Sequence, residues 1–145
     1  MKLYAALRED TQQGWVWLQN PSLPVRSIVK IINPENGNSI YCEALQIDKY
    51  FLTIYNQKPR ISIADAKSAI VISGWYRDAL GELSSKMDVA LIITPCNSWF
   101  GKFMACIYHP QVVVRVAAWL GVISVALGFL GVVLGLISVC PIIHL

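Results

Sequence analysis

Histidine is nearly missing from this chain. The two present, His109 and His144, both lie in its C-terminal part. The residues before them therefore hold no imidazole to serve as the base of a Ser or Cys nucleophile. The two flank the long apolar run described below, so once that run crosses a membrane they cannot share a metal. Cys42, Cys96, Cys106 and Cys140 show no C-x-x-C and no Cys/His ligand spacing. Reduced thiols are expected, with no structural zinc and no cofactor. There is no glycine-rich phosphate loop, since Gly74 and Gly81 only bracket a short helix. Charge is sparse at 14%. Met1–Pro95 is almost balanced, and Cys96–Leu145 carries only Lys102 and Arg115. No basic patch points to nucleic acid. No secretory signal is expected, because Arg8, Glu9 and Asp10 interrupt the first apolar residues.

What the chain has in quantity is apolar sequence at its C-terminal end. Val112–Val139 holds a single charge, Arg115. From Val116 onward, at about 1.5 Å per helical residue, the run covers roughly 36 Å. A hydrocarbon core is about 30 Å thick, so one tilted transmembrane helix is expected. A buried core helix rarely runs this long without a polar face. Ala117, Gly121, Ser124, Gly128, Gly131, Gly135 and Ser138 recur at alternating steps of four and three. That spacing puts all seven on one stripe. Lipid tails are as apolar as leucine, so helices associate in membranes where small residues let backbones approach closely. Gly131 and Gly135 also form a G-x-x-x-G. The stripe predicts packing against other transmembrane helices, at a shallow left-handed crossing, either in a homo-oligomer or in a hetero-complex.

Lys102 and Arg115 precede this helix, and no Lys or Arg follows it. The positive-inside bias, together with the missing signal, places the N-terminal domain in the cytoplasm of a single-pass protein. Between the two parts, Ser98–Tyr108 sets Trp99, Phe100, Phe103 and Tyr108 around Lys102. Such a segment suits a short helix or loop at headgroup level, or a contact with a partner subunit. Arg115 snorkels to the same interface or pairs with a partner's carboxylate.

The first 95 residues read as short strands. Gly14–Leu18, Ser27–Ile32, Ser39–Ile47, Tyr50–Tyr55, Arg60–Ile63, Ala69–Ile72 and Asp88–Thr94 are the candidates. The turn Asn33-Pro34-Glu35-Asn36-Gly37-Asn38 joins two of them as a hairpin. One short helix is expected, with Ser73 as N-cap, Trp75–Leu80 as body and Gly81 as stop. Trp15, Trp17, Trp75 and Tyr76 are either core or the lining of a ligand groove.

On these motifs Leu23–Thr94 resembles the double-psi β-barrel of the rare lipoprotein A and expansin-like group. Val29, Ile31, Asn33, Asn36, Gly37 and Ser39 match the first half of its pattern. Ile72, Ser73, Leu80 and Gly81 match the second. The resemblance implies a mainly β fold: a small six- to seven-stranded double-psi-like barrel with one short helix, then the C-terminal transmembrane α-helix. It also implies where activity would lie. The group's enzymes carry an acidic aspartate at the position of Val71, which has no proton to donate. Their Asp-x-Gly-Pro loop is replaced by Gln46, Ile47, Asp48 and Lys49. Glycan cleavage needs a positioned acid, usually with a second carboxylate, so catalysis is not expected.

The organisation expected is therefore a barrel domain over 1–95, an aromatic linker over 96–111, a transmembrane helix over 112–140 and a tail over 141–145. The function expected is that of a non-catalytic accessory or scaffold subunit of a membrane complex, with the bilayer and other helices as partners. Two alternatives remain at this stage. One is a membrane-tethered glycan-cleaving barrel whose acid comes from Asp48, Asp65 or Asp78. The other is a ligand-binding barrel.

Overall fold

Ala69-Ile70-Val71-Ile72 contains no polar side chain, and a strand apolar on both sides must be covered on both faces. The computed structural model, which describes residues 1–58 and 61–139, places this segment as an interior strand. The strands are β1 (Lys2–Ala5), β2 (Trp15–Leu18), β3 (Arg26–Ile32), β4 (Ser39–Gln46), β5 (Ala69–Ile72) and β6 (Ile92–Pro95). They form one six-stranded mixed sheet in the order β1-β5-β2-β4-β3-β6. β5 runs parallel to β1 and antiparallel to β2. β2 runs parallel to β4, and the β3–β4 hairpin is followed outward by antiparallel β6.

Alternation along β5 divides the core in two. Ile70 and Ile72 join Leu3, Val16, Leu18, Val29, Ile31 and Ile40, capped by Tyr76 and Leu80 of helix α2 (Gly74–Ala79) and its C-cap. Ala69 and Val71 join Tyr4, Phe51 and Tyr55, the last two from helix α1 (Lys49–Tyr55). Val71, at the place of the acid in the resembling enzymes, is fully buried in this second cluster. Only an apolar residue fits there without a partner.

Several expectations change. The ladder order brings no pairing of β6 back to β1 among the described residues, so the sheet is open where a closed barrel was expected. Tyr50–Tyr55, expected as a strand, is most of α1. The Asp48 carboxylate accepts a hydrogen bond from the Phe51 amide at 2.7 Å and caps the helix. Phe51 and Tyr55, four residues apart, then share a buried face and stack on each other. Trp17 stacks on Phe51 with centroids 4.3 Å apart. β1 was not foreseen, residues 61–63 are irregular, and the short helices number more than one. Arg60 lies outside the described residues. The Ala69–Ile72 strand is found as expected.

Four of the residues that carried the resemblance, Asn33, Asn36, Leu80 and Gly81, meet at one joint. Asn33, buried, donates from its side-chain amide to the Leu80 carbonyl at 2.9 Å, and Asn36 donates to the same oxygen at 2.9 Å. The Asn33 carbonyl accepts from the Gly37 amide. Gly81 adopts φ +110°, and a Cβ there would strike the Asn36 side-chain nitrogen. The hairpin turn is thus locked onto the C-terminal end of α2.

Candidate functional site

A run of Val, Leu, Ile and Gly with no charge after Arg115 has no polar face to turn to water, whichever way the helix is rotated. It forms α4 (Val112–Val139). The most apolar stretch of Val112–Ser138 has a mean hydropathy of 2.6, and the helix is long and apolar enough to cross a membrane. None of its most apolar stretch is buried in the chain, which distinguishes it from the core helix of a soluble protein. Ala117, Gly121, Ser124, Gly128, Gly131, Gly135 and Ser138 are all exposed. Among the described residues nothing outside the helix's own nearby backbone lies within 4 Å of a Cβ built on Gly121, Gly128, Gly131 or Gly135. The Ser124 and Ser138 hydroxyls donate to the Leu120 and Leu134 carbonyls at 2.8 and 2.9 Å. Their polarity is satisfied inside the helix, and only their small size is left to a neighbour. Cys140 and the 141–145 tail lie outside the described residues.

The linker folds as helix α3 (Trp99–Ile107). Ser98 caps it, accepting from the Gly101 amide at 3.2 Å. Gly101 is buried against the Cys96 carbonyl, which a Cβ there would strike. α3 packs on β3 and β4, where Tyr41 meets Phe100 edge-on and lies 5.9 Å from Tyr108. Trp99 stacks on Phe103 and is 80% exposed, and Lys102 is exposed beside them.

A four-residue turn joins α3 to α4, and Arg115 holds it. Its Nη1 donates to the His109 and Pro110 carbonyls at 2.7 and 2.9 Å. Its guanidinium lies 4.5 Å from the centre of the Trp75 ring, and the Trp75 indole donates to the Tyr108 carbonyl at 3.0 Å. Arg115, expected to snorkel or to pair with a partner's carboxylate, is thus occupied within the chain. The four rings considered for a ligand groove are dispersed. Trp75 belongs to this turn. Trp17 stacks on α1 and donates to Asp10 at 3.0 Å. Tyr76 is fully buried. Trp15 faces a recess of about 310 Å³ shared with Glu43, Lys102 and His109.

From the sequence, His109 has no role beyond lying across the apolar run from His144. Its Nδ1 accepts from the Gln111 amide at 3.1 Å, which puts the proton of the neutral ring on Nε2. The Cδ2–Nε2 edge of the ring lies against Gly14, where a Cβ would collide with it. Burial, and then the positive charge of Arg115, holds its pKa below the ordinary value. A histidine whose folded pKa is depressed contributes its full stability above the unfolded pKa of about 6.5 and loses it as pH falls through the folded value. The thermal midpoint of the detergent-solubilised protein should therefore drop on acidification below neutrality. His109→Gln, which does not titrate, should flatten that limb. An unchanged profile in the variant would assign the acid sensitivity to other groups.

Among the described residues no three His, Cys, Asp or Glu side chains gather as a metal site. No family model and no curated protein matches the chain. Solved structures that match include the rationally designed apDPBB_sym_79 protein, a double-psi β-barrel, at 12% identity and a TM-score of 0.44. That match covers 66% of this chain and 94% of the designed one. Similarity at that level carries no argument about fold closure or function, and the rare lipoprotein A and expansin-like group remains a resemblance in sequence.

Proposed function

We propose that the chain is a non-catalytic, single-pass membrane protein that serves as an accessory or scaffold subunit. Its β domain lies in the cytoplasm, and α4 packs through its Gly/Ala/Ser face against other transmembrane helices. One observation carries this: a helix long and apolar enough to cross a membrane exposes its glycines, and among the described residues nothing outside the helix's own backbone comes within 4 Å of a Cβ built on them. Small residues exposed in this way permit backbone approach, which is what draws helices together in lipid. The carboxylates considered for glycan cleavage point away from catalysis. Asp48 caps α1. Asp65 accepts hydrogen bonds from Ser68 and Lys67 that hold its pKa below the ordinary value, opposite to what a general acid needs. Asp78 is exposed on α2.

Leucine at Gly128 and Gly131 would keep α4 apolar while separating the backbones. The double variant Gly128→Leu/Gly131→Leu should insert normally but run as a smaller species on a native gel after mild detergent extraction. Unchanged migration would rule out packing through this face.

A further inference from the structure

The outer edge of β1 is only partly covered. Lys2 and Ala6 turn their amides toward β5, onto the Ser68 and Ile72 carbonyls, so the Leu3 and Ala5 amides face the other way. Segment 86–89 takes the first part of that edge. The Leu3 amide donates to the Met87 carbonyl at 3.0 Å, and the Lys86 amide donates to the Leu3 carbonyl at 2.8 Å. Lys86 adopts φ +75°, so the chain before it leaves the strand and the ladder ends one rung short of Ala5. Among the described residues no acceptor reaches the Ala5 amide. The Ala5 carbonyl is already bonded by the Tyr55 hydroxyl at 2.6 Å.

At this gap lies a recess of about 330 Å³, at the small end of ligand pockets. Tyr4, Leu7, Tyr55 and Ile61 contribute apolar lining, and its only charged residues are Arg8 and Lys86. Both are exposed. Neither pairs with a carboxylate, since the one ion pair among the described residues is Arg26–Glu43.

We infer that this recess binds a carboxylate carried on a small apolar group. An open N–H beside two cations suits an anionic acceptor. With the Ala5 carbonyl taken, a passing strand gains only one of the two bonds of a ladder rung, whereas a carboxylate needs donors alone. Segment 86–89 also blocks a strand from running through, so a chain enters only by its end. The extended C-terminus of a peptide meets all three conditions. One of its oxygens takes the Ala5 N–H, the other faces the cations, and its last side chain meets the apolar lining. A free short-chain carboxylic acid presents the same group without the peptide.

The test records amide spectra of the nitrogen-labelled intact protein in detergent micelles. A short peptide ending in valine with a free carboxylate should move the Ala5 amide saturably, half-complete at about 1 mM or below. The same peptide as its C-terminal amide should bind at least about tenfold more weakly, since a charge-assisted hydrogen bond is lost. Arg8→Gln/Lys86→Gln changes two exposed side chains, so the β5 amides should stay in place. It should weaken the free-acid peptide by at least about tenfold. Isovalerate separates the two sources: binding as tight as the peptide's assigns the site to free carboxylic acids, and weaker binding assigns it to peptide termini. No shift of Ala5 with either carboxylate would overturn the site. Equal shifts with the amide or with inorganic phosphate would overturn it too, as would undiminished binding to the double variant.

Discussion

Gly81→Ala should lower the stability of the β domain by about 1.5 to 4.5 kcal/mol, the sum of two separate costs. A residue with a Cβ held in a sparsely populated region such as φ +110° costs about 1 to 3 kcal/mol. The added methyl also displaces the Asn36 side chain, whose amide bonds the Leu80 carbonyl. Losing a hydrogen bond of that kind costs about 0.5 to 1.5 kcal/mol. Gly37→Ala isolates the first cost. Gly37 also has a positive φ, +76°, but nothing lies within 4 Å of a Cβ there. Thermal unfolding followed by circular dichroism should show the larger drop at position 81, by several degrees for a domain of this size. Equal shifts for the two variants would mean that the joint between the hairpin turn and α2 contributes nothing.

Arg115→Leu should release the turn between α3 and α4. Leucine preserves the apolar character of the run, so insertion is not at issue. What is lost is a charge-assisted donor to two carbonyls, worth about 1.5 to 3 kcal/mol. The stacking on Trp75 adds about 0.5 to 2 kcal/mol. The His109 and Pro110 carbonyls, left without that donor beside apolar surface, raise the cost further. Hydrogen exchange at Tyr108–Val112 should accelerate, and limited proteolysis should cut there, while β5 stays protected. Arg115→Lys should recover little of the effect, because an ammonium neither bridges the carbonyls as a planar fork does nor stacks as well on indole. Exchange in the turn that matched the parent protein would show that the backbone holds it without Arg115.

The same two sites mark how far the sequence could be read. Gly81 and Asn33 were legible as turn and cap chemistry, because a positive φ leaves a glycine and a tight turn leaves an asparagine. That the two would meet at the Leu80 carbonyl was not legible, since Asn33 and Leu80 are joined only through the folded sheet. Arg115 was legible as the one charge in an apolar run. Its partners were not, because a carbonyl has no signature in a side-chain sequence. Tyr50–Tyr55 misled for a different reason. Five aromatic and β-branched residues out of six suit a strand by propensity, and only the capping of α1 by Asp48 and the burial of Phe51 with Tyr55 settle it as a helix.

By itself, the sequence determined that one helix of this chain is long and apolar enough to cross a membrane, and that its small residues fall on one stripe. Both follow from composition and period along a single helix, which need no knowledge of what lies across space. It also determined β5, whose four apolar residues have no other way to be covered. The tertiary structure alone decided that the sheet is open, that Arg115 is engaged within the chain, and that α3 packs on β3 and β4. Each of these depends on contacts between residues far apart in the sequence, and their energies exist only once the sheet has brought those residues together.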